Sequence, residues 1–175
     1  MTINENYFIT DTFNPLSDSI MYKTILVPHG GTEAGDEALK HAINAAKDTS
    51  KIIILHVVEA LQYPASFALS SSERTSLLKA VDDANEEIRK DMEKNMEKCA
   101  QQCKEANIES KVKVEIGDAS EIILDVIEKE KVDLTVMAKR RKLKGVKKLL
   151  SLGSVSRKIV ENTSCPILLI DAEKK

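Results

Sequence analysis

From Tyr22 to Ile170 the sequence repeatedly changes period. Short β-branched runs give way to stretches with an apolar residue every three or four positions, and back again. Strands that alternate with helices of ten residues or more form βαβ units, hence a parallel sheet with helices on both faces. Strands are expected over 22–28, 51–58, 111–116, 132–138 and 166–170. The run KIIILHVV at 51–58 is the most apolar of them and reads as a strand buried on both faces.

The expected helices are set by caps and stripes. Thr32 is a good N-cap after the turn His29-Gly30-Gly31, and its helix is expected to reach about Asp48. A Ser-rich loop over 61–72 precedes the longest helix, expected over 73–106, where Leu77, Val81, Ile88, Met92, Met96, Cys99 and Cys103 share a stripe. Asp118 and Glu121 have capping-box spacing and open a helix to about Lys131. After the linker 139–152, Gly153-Ser154 opens a last helix to about Glu161. Residues 1–20 show no sustained period and read as a flexible extension outside a single domain over 21–175.

Composition excludes several functions. Lys and Arg total 26 against 28 Asp and Glu, a net charge of −2, which is unlike a wholesale polyanion binder. Three Phe, three Tyr and no Trp leave little on which to stack bases, so a nucleic-acid partner is not expected. The chain has no apolar run of the ~20 residues that a membrane span requires. Its first residues lack the basic start and apolar core of a secretory signal. Three cysteines make no disulfide framework, and reduced thiols in a cytoplasmic protein are expected. The near-zero charge nevertheless hides a polarity. Nine basic residues and no acid lie over 138–158, which leaves the remainder with eleven more acids than bases.

Nothing in the sequence has the spacing of a catalytic motif: there is no G-x-S-x-G, H-E-x-x-H or G-x-x-x-x-G-K-[ST]. The protein is therefore not expected to be an enzyme or to hold a resident metal. Cys99 and Cys103 share a helix face, a spacing that permits a metal pair or a redox contact, but they continue a Met stripe and read as core. His29, His41 and His56 lack metal-ligand spacing. His29 is expected at the mouth of the ligand crevice, within reach of a phosphate, and His56 as a satisfied strand residue.

In three segments the sequence resembles the universal stress protein family: YKTILVPHGGTEAGDEAL from Tyr22, ILHVVE from Ile54, and LGSVSRKIVENTSCPILLI from Leu152. The resemblance covers 22–170. It implies an open, Rossmann-like, adenine-nucleotide-hydrolase-like five-stranded parallel sheet of order 3-2-1-4-5. It also implies a homodimer joined through the C-terminal strand, with ATP or AMP bound in some members at the first and fourth strand ends. Magnesium would accompany ATP alone. The implied site comprises Pro28, His29, Gly30, Gly31 and Thr32 after the first strand, and Val57 and Val58 on the second. Ala138, Lys139, Arg140 and Arg141 follow the fourth strand, and Gly153, Ser154 and Val155 open the last helix.

Nucleotide-binding members of the family resemble one another in G-x2-G-x9-G-[ST] and in an Asp just after the first-strand proline. Here Gly153 and Ser154 match, Ala138 and Arg141 stand where glycines belong, and the spacer to Gly153 is eleven residues. Gly30 occupies the Asp position. A non-glycine residue at a left-handed position costs about 1–2 kcal/mol. A lost charge-assisted hydrogen bond costs about 1.5–3 kcal/mol. Two readings follow. One is a dimeric stress-response binding module whose degenerate phosphate motif holds an adenine nucleotide or another phosphorylated small molecule. The other is a scaffold that offers the basic 139–158 segment to an acidic partner.

Overall fold

A computed structural model of the protein describes residues 22–59, 70–139 and 153–171. The strands are β1 (Thr24–Pro28), β2 (Lys51–Val58), β3 (Glu109–Ile116), β4 (Leu134–Ala138) and β5 (Ile167–Ile170). The helices between them are α1 (Glu33–Ala45), α2 (Ser71–Glu105), α3 (Ala119–Lys129) and α4 (Ser154–Asn162). All pairings are parallel and the order is β3-β2-β1-β4-β5, as the resemblance implies. The extension over 1–20, most of the Ser-rich loop and most of the basic linker, Arg140 and Arg141 included, lie outside the described residues.

Period-two alternation in the central strands divides the core into two layers. Ile25, Val27, Ile52, Ile54 and Val136 face α1 and α2, where Leu39, Ala42, Met96, Cys99 and Cys103 complete the packing. Leu26, Ile53, Leu55 and Met137 face the other way, against Ile123, Val126 and Ile127 of α3 and Ile159 of α4. Burial on both faces explains why β1 and β2 are almost uninterrupted aliphatic runs.

Several boundaries differ from the sequence reading, each for a local reason. α1 stops at Ala45, short of Asp48, because the Ser50 hydroxyl accepts from the Lys47 amide at 2.9 Å and donates to the Tyr22 carbonyl at 2.6 Å. α2 begins at Ser71, inside the expected loop, because Ser70 and Glu73 form a reciprocal capping box. β3 starts two residues early, since β2 offers it partners from Lys51↔Glu109 through Val58↔Ile116. α3 ends at Lys129, and Lys131 takes a left-handed φ of 52° as the chain turns into β4. Only the C-terminal third of α2 is buried, at Met96, Cys99 and Cys103.

Candidate functional site

The chain winds outward from β1 in both directions, so the strand order reverses between β1 and β4. Ligands of such sheets bind outside the carboxyl ends of the strands at that reversal. A cavity of about 530 Å³ lies there. Pro28, His29, Gly30 and Thr32 form one lip, and Ala138, Lys139, Val155 and Ser156 the other. Its walls are apolar: Leu55 and Val57 from β2, Ala119 and Ile123 from α3, and Met137 from β4. No carboxylate is among the described residues that line it.

The β1 lip is built by glycines and one imidazole. Gly31 takes a left-handed φ of +67°, open to glycine at little cost, whereas a side chain at Gly30 would meet nothing within 4 Å. Thr32 caps α1 by accepting from the Gly35 amide at 3.4 Å. The His29 amide donates to the Leu55 carbonyl at 2.8 Å, which carries strand-like pairing past the proline. The His29 carbonyl accepts from Nδ1 of His56 at 2.7 Å, so His56 is satisfied as expected of a strand residue.

His29 lies at the mouth of the cavity as expected, with its ring held by its own surroundings. It is 3% exposed, and Nδ1 accepts from the Gly31 amide at 3.1 Å while Nε2 lies 3.2 Å from Oδ1 of Asp36. The left-handed turn at Gly31 brings that amide to the ring, so one nitrogen is engaged by the loop and the other by Asp36 of α1. Burial holds the imidazole below its ordinary pKa, against the opposing charge and hydrogen bond of Asp36. Gly35 admits the ring, since a Cβ there would sit 2.8 Å from two of its atoms.

The second lip is held differently. The Lys139 amide donates to the Ile170 carbonyl at 2.8 Å, and its ammonium lies 3.5 Å from Asp171. Gly153 is the N-cap of α4 and makes no side-chain cap hydrogen bond, which leaves the positive end of the helix macrodipole directed at this lip. Lys158 on α4 reaches Asp118 at 3.8 Å and Glu121 at 3.4 Å at the start of α3.

Of the residues expected from sequence, Pro28, His29, Gly30, Thr32, Val57, Ala138, Lys139 and Val155 share the cavity wall. Gly31 is tucked beside His56, and the Val58 carbonyl is taken by the Gly117 amide at 2.9 Å. Gly153 and Ser154 open α4 without appearing on the wall, and Arg140 and Arg141 fall outside the described residues. Sequence reasoning missed Leu55, Ala119, Ile123, Met137 and Ser156. They are ordinary core and helix-start residues until the strand order is known.

The arrangement suits a flat, weakly polar group in the slot and an anion at the mouth. Comparison with known proteins agrees with this fold. A universal stress protein relative from Methanocaldococcus jannaschii, MJ0531, is 30% identical over 157 residues, covering 89% of this chain and 85% of the relative. The solved structure of MJ0577, from the same organism, has a TM-score of 0.72 at 23% identity and covers 89% of this chain and all of its own. A universal stress protein solved in complex with cAMP has a TM-score of 0.55 at 17% identity, covering 88% of this chain and all of its own. The model of the Universal stress protein family matches residues 21–171. This chain belongs to the universal stress protein family.

Proposed function

We propose that the protein is a dimeric stress-response binding module that holds an adenine nucleotide, ATP or AMP, without turning it over. The observation that carries this reading is the apolar cavity of about 530 Å³ at the reversal of strand order. Leu55, Val57, Ile123 and Met137 would enclose the base, while the uncapped start of α4 and Lys139 would attract the phosphates. A family relative solved with cAMP supports the ligand class. Magnesium would enter with a triphosphate and shield its charge. Among the described residues the cavity wall offers no carboxylate to fix that ion for hydrolysis, which is why binding is favoured over catalysis.

The dimer would form along β5, an apolar edge strand on which Leu168 is 39% exposed, with Val160 of α4 at 42%. Among the described residues no helix is long and apolar enough to cross a membrane, and the three thiols are free, in keeping with a cytoplasmic setting. The alternative scaffold reading finds less support. Lys158 of the basic segment is already drawn onto Asp118 and Glu121 of the same chain.

Titration calorimetry with ATP, AMP and cAMP, at low and physiological salt, tests the proposal. Saturable heat from at least one nucleotide is expected, weakening with salt. Silence from all three at millimolar ligand would reject it.

A further inference from the structure

Behind the β1 lip, three side chains from three separate elements converge. His29 leaves the end of β1, Asp36 stands in the first turn of α1, and Cys99 projects from the buried third of α2. Nε2 of His29 lies 3.2 Å from Oδ1 of Asp36 and 3.8 Å from Sγ of Cys99. All three donor atoms lie within 4.8 Å of one another, the one such group of three among the described residues. Zinc bonds of about 2.0–2.3 Å in tetrahedral array place neighbouring ligand atoms roughly 3.2–3.8 Å apart. The two separations from Nε2 fall on that spacing, and the carboxylate and sulfur lie within 4.8 Å of each other.

The donor set is equally selective. One imidazole nitrogen, one thiolate and one carboxylate suit a borderline ion such as Zn²⁺, whereas Mg²⁺ and Ca²⁺ demand oxygen ligands. His29 and Cys99 are each 3% exposed, so the two softer donors sit in a low-dielectric pocket. The Asp36 side chain is 45% exposed and gives both an entry path and room for a fourth ligand from solvent. The ring packs closely on Gly35, where even a methyl group would collide.

We propose that His29, Asp36 and Cys99 form a zinc-type metal site, and that filling it turns the Gly30–Gly31 peptide at the lip of the cavity. The second half follows from the position of one proton. The Gly31 amide donates to Nδ1, so the neutral ring carries its proton on Nε2, facing Asp36. An ion on Nε2 requires that proton to move to Nδ1, where the Gly31 N–H now points. The Cys99 thiol proton leaves to solvent as the sulfur–metal bond forms. Two N–H groups cannot face each other, and the peptide flanked by two glycines rotates at least steric cost. Metal and cavity thereby share one loop. The coupling to nucleotide rests on the function proposed above; the metal site itself does not.

The test uses the full-length, reduced, chelator-stripped protein and Co²⁺ as probe, with no nucleotide present. A thiolate-to-cobalt charge-transfer band in the near ultraviolet is expected, saturating at one ion per chain and bleached by Zn²⁺. Cys99→Ser is expected to abolish the band, while Cys103→Ser and Cys165→Ser retain it. Asp36→Asn keeps the size of a partly exposed side chain and a group that can still accept from His29, and is expected to weaken Co²⁺ binding at least about tenfold. The site is rejected if saturating Co²⁺ gives no charge-transfer band, if the band survives Cys99→Ser, or if Asp36→Asn leaves the affinity unchanged. Because nucleotide is absent, these outcomes are independent of whether the cavity binds ATP or AMP.

Discussion

The two lips of the cavity are held by different forces. The β1 lip is fastened from within by hydrogen bonds of 2.7–3.1 Å among Leu55, His56, His29 and Gly31, built around the buried His29 ring. The opposite lip has one backbone hydrogen bond, from the Lys139 amide to the Ile170 carbonyl, and otherwise relies on ion pairs at the surface: Lys139 with Asp171, and Lys158 with Asp118 and Glu121. Shielded neutral hydrogen bonds are indifferent to salt, whereas exposed pairs contribute little each and fade as ionic strength rises. On the proposed function, the first lip would define the shape of the site and the second would supply an adjustable field for the anion.

The largest expected effect comes from restoring chemistry to the rigid lip. Gly30 has an ordinary backbone and open space around it, so Gly30→Asp introduces a carboxylate without strain. A charge-assisted hydrogen bond to a ribose hydroxyl contributes about 1.5–3 kcal/mol, which corresponds to about one to two decades in affinity. Calorimetry of the variant against wild type checks this; an unchanged Kd would mean that no sugar reaches this lip. Next in size is the contrast between adjacent glycines. Gly31→Ala places a Cβ at φ +67° and is expected to cost about 1–2 kcal/mol of stability. Gly30→Ala should be neutral or stabilising by up to about 1 kcal/mol, because it restricts the unfolded chain. Denaturant unfolding of the pair distinguishes them, and equal losses would show that the lip is not shaped by Gly31.

The same contrast governs what the sequence disclosed. The central strands were readable because Ile25, Val27, Ile52 and Ile54 are buried whichever way the sheet is wound. The capping box that starts α2 at Ser71 was hidden in a serine run that read as loop, although Ser70 and Glu73 carry its spacing. At the site, glycines and basic residues announced themselves by type, but Leu55, Ile123 and Met137 become walls only through strand order. His29, Asp36 and Cys99 were the least legible. They stand 7 and 70 residues apart from His29, and only the packing of α2 across β1 and α1 unites them.

The charged lip is expected to respond more weakly, and in a salt-dependent way. Lys139→Gln removes one partly exposed ammonium, so nucleotide affinity should fall by less than about tenfold, with the loss shrinking as salt is added. A loss that salt leaves untouched would mean that Lys139 binds its anion in a site closed to water, like the first lip.

The smallest effect concerns the support beneath that lip, and it carries a sign. Asp118 caps α3 and accepts from the Ser120 hydroxyl and the Glu121 amide, with Lys158 of α4 beyond. These hydrogen bonds, the Ser120 one first, hold its carboxyl below the ordinary aspartate range. On acidification the unfolded chain therefore takes up the proton before the folded one does. The stabilisation from the carboxylate is intact at neutral pH and disappears as pH falls through the folded value. Asp118→Asn keeps a capping side chain and removes only the charge. Wild type should thus be slightly more stable than Asp118→Asn at neutral pH, with the two converging in acid, as followed by denaturant titration across that range. A gap that persists unchanged into acid would remove charge from the support of α4, leave Ile159 packing in its place, and erase the difference between the two lips.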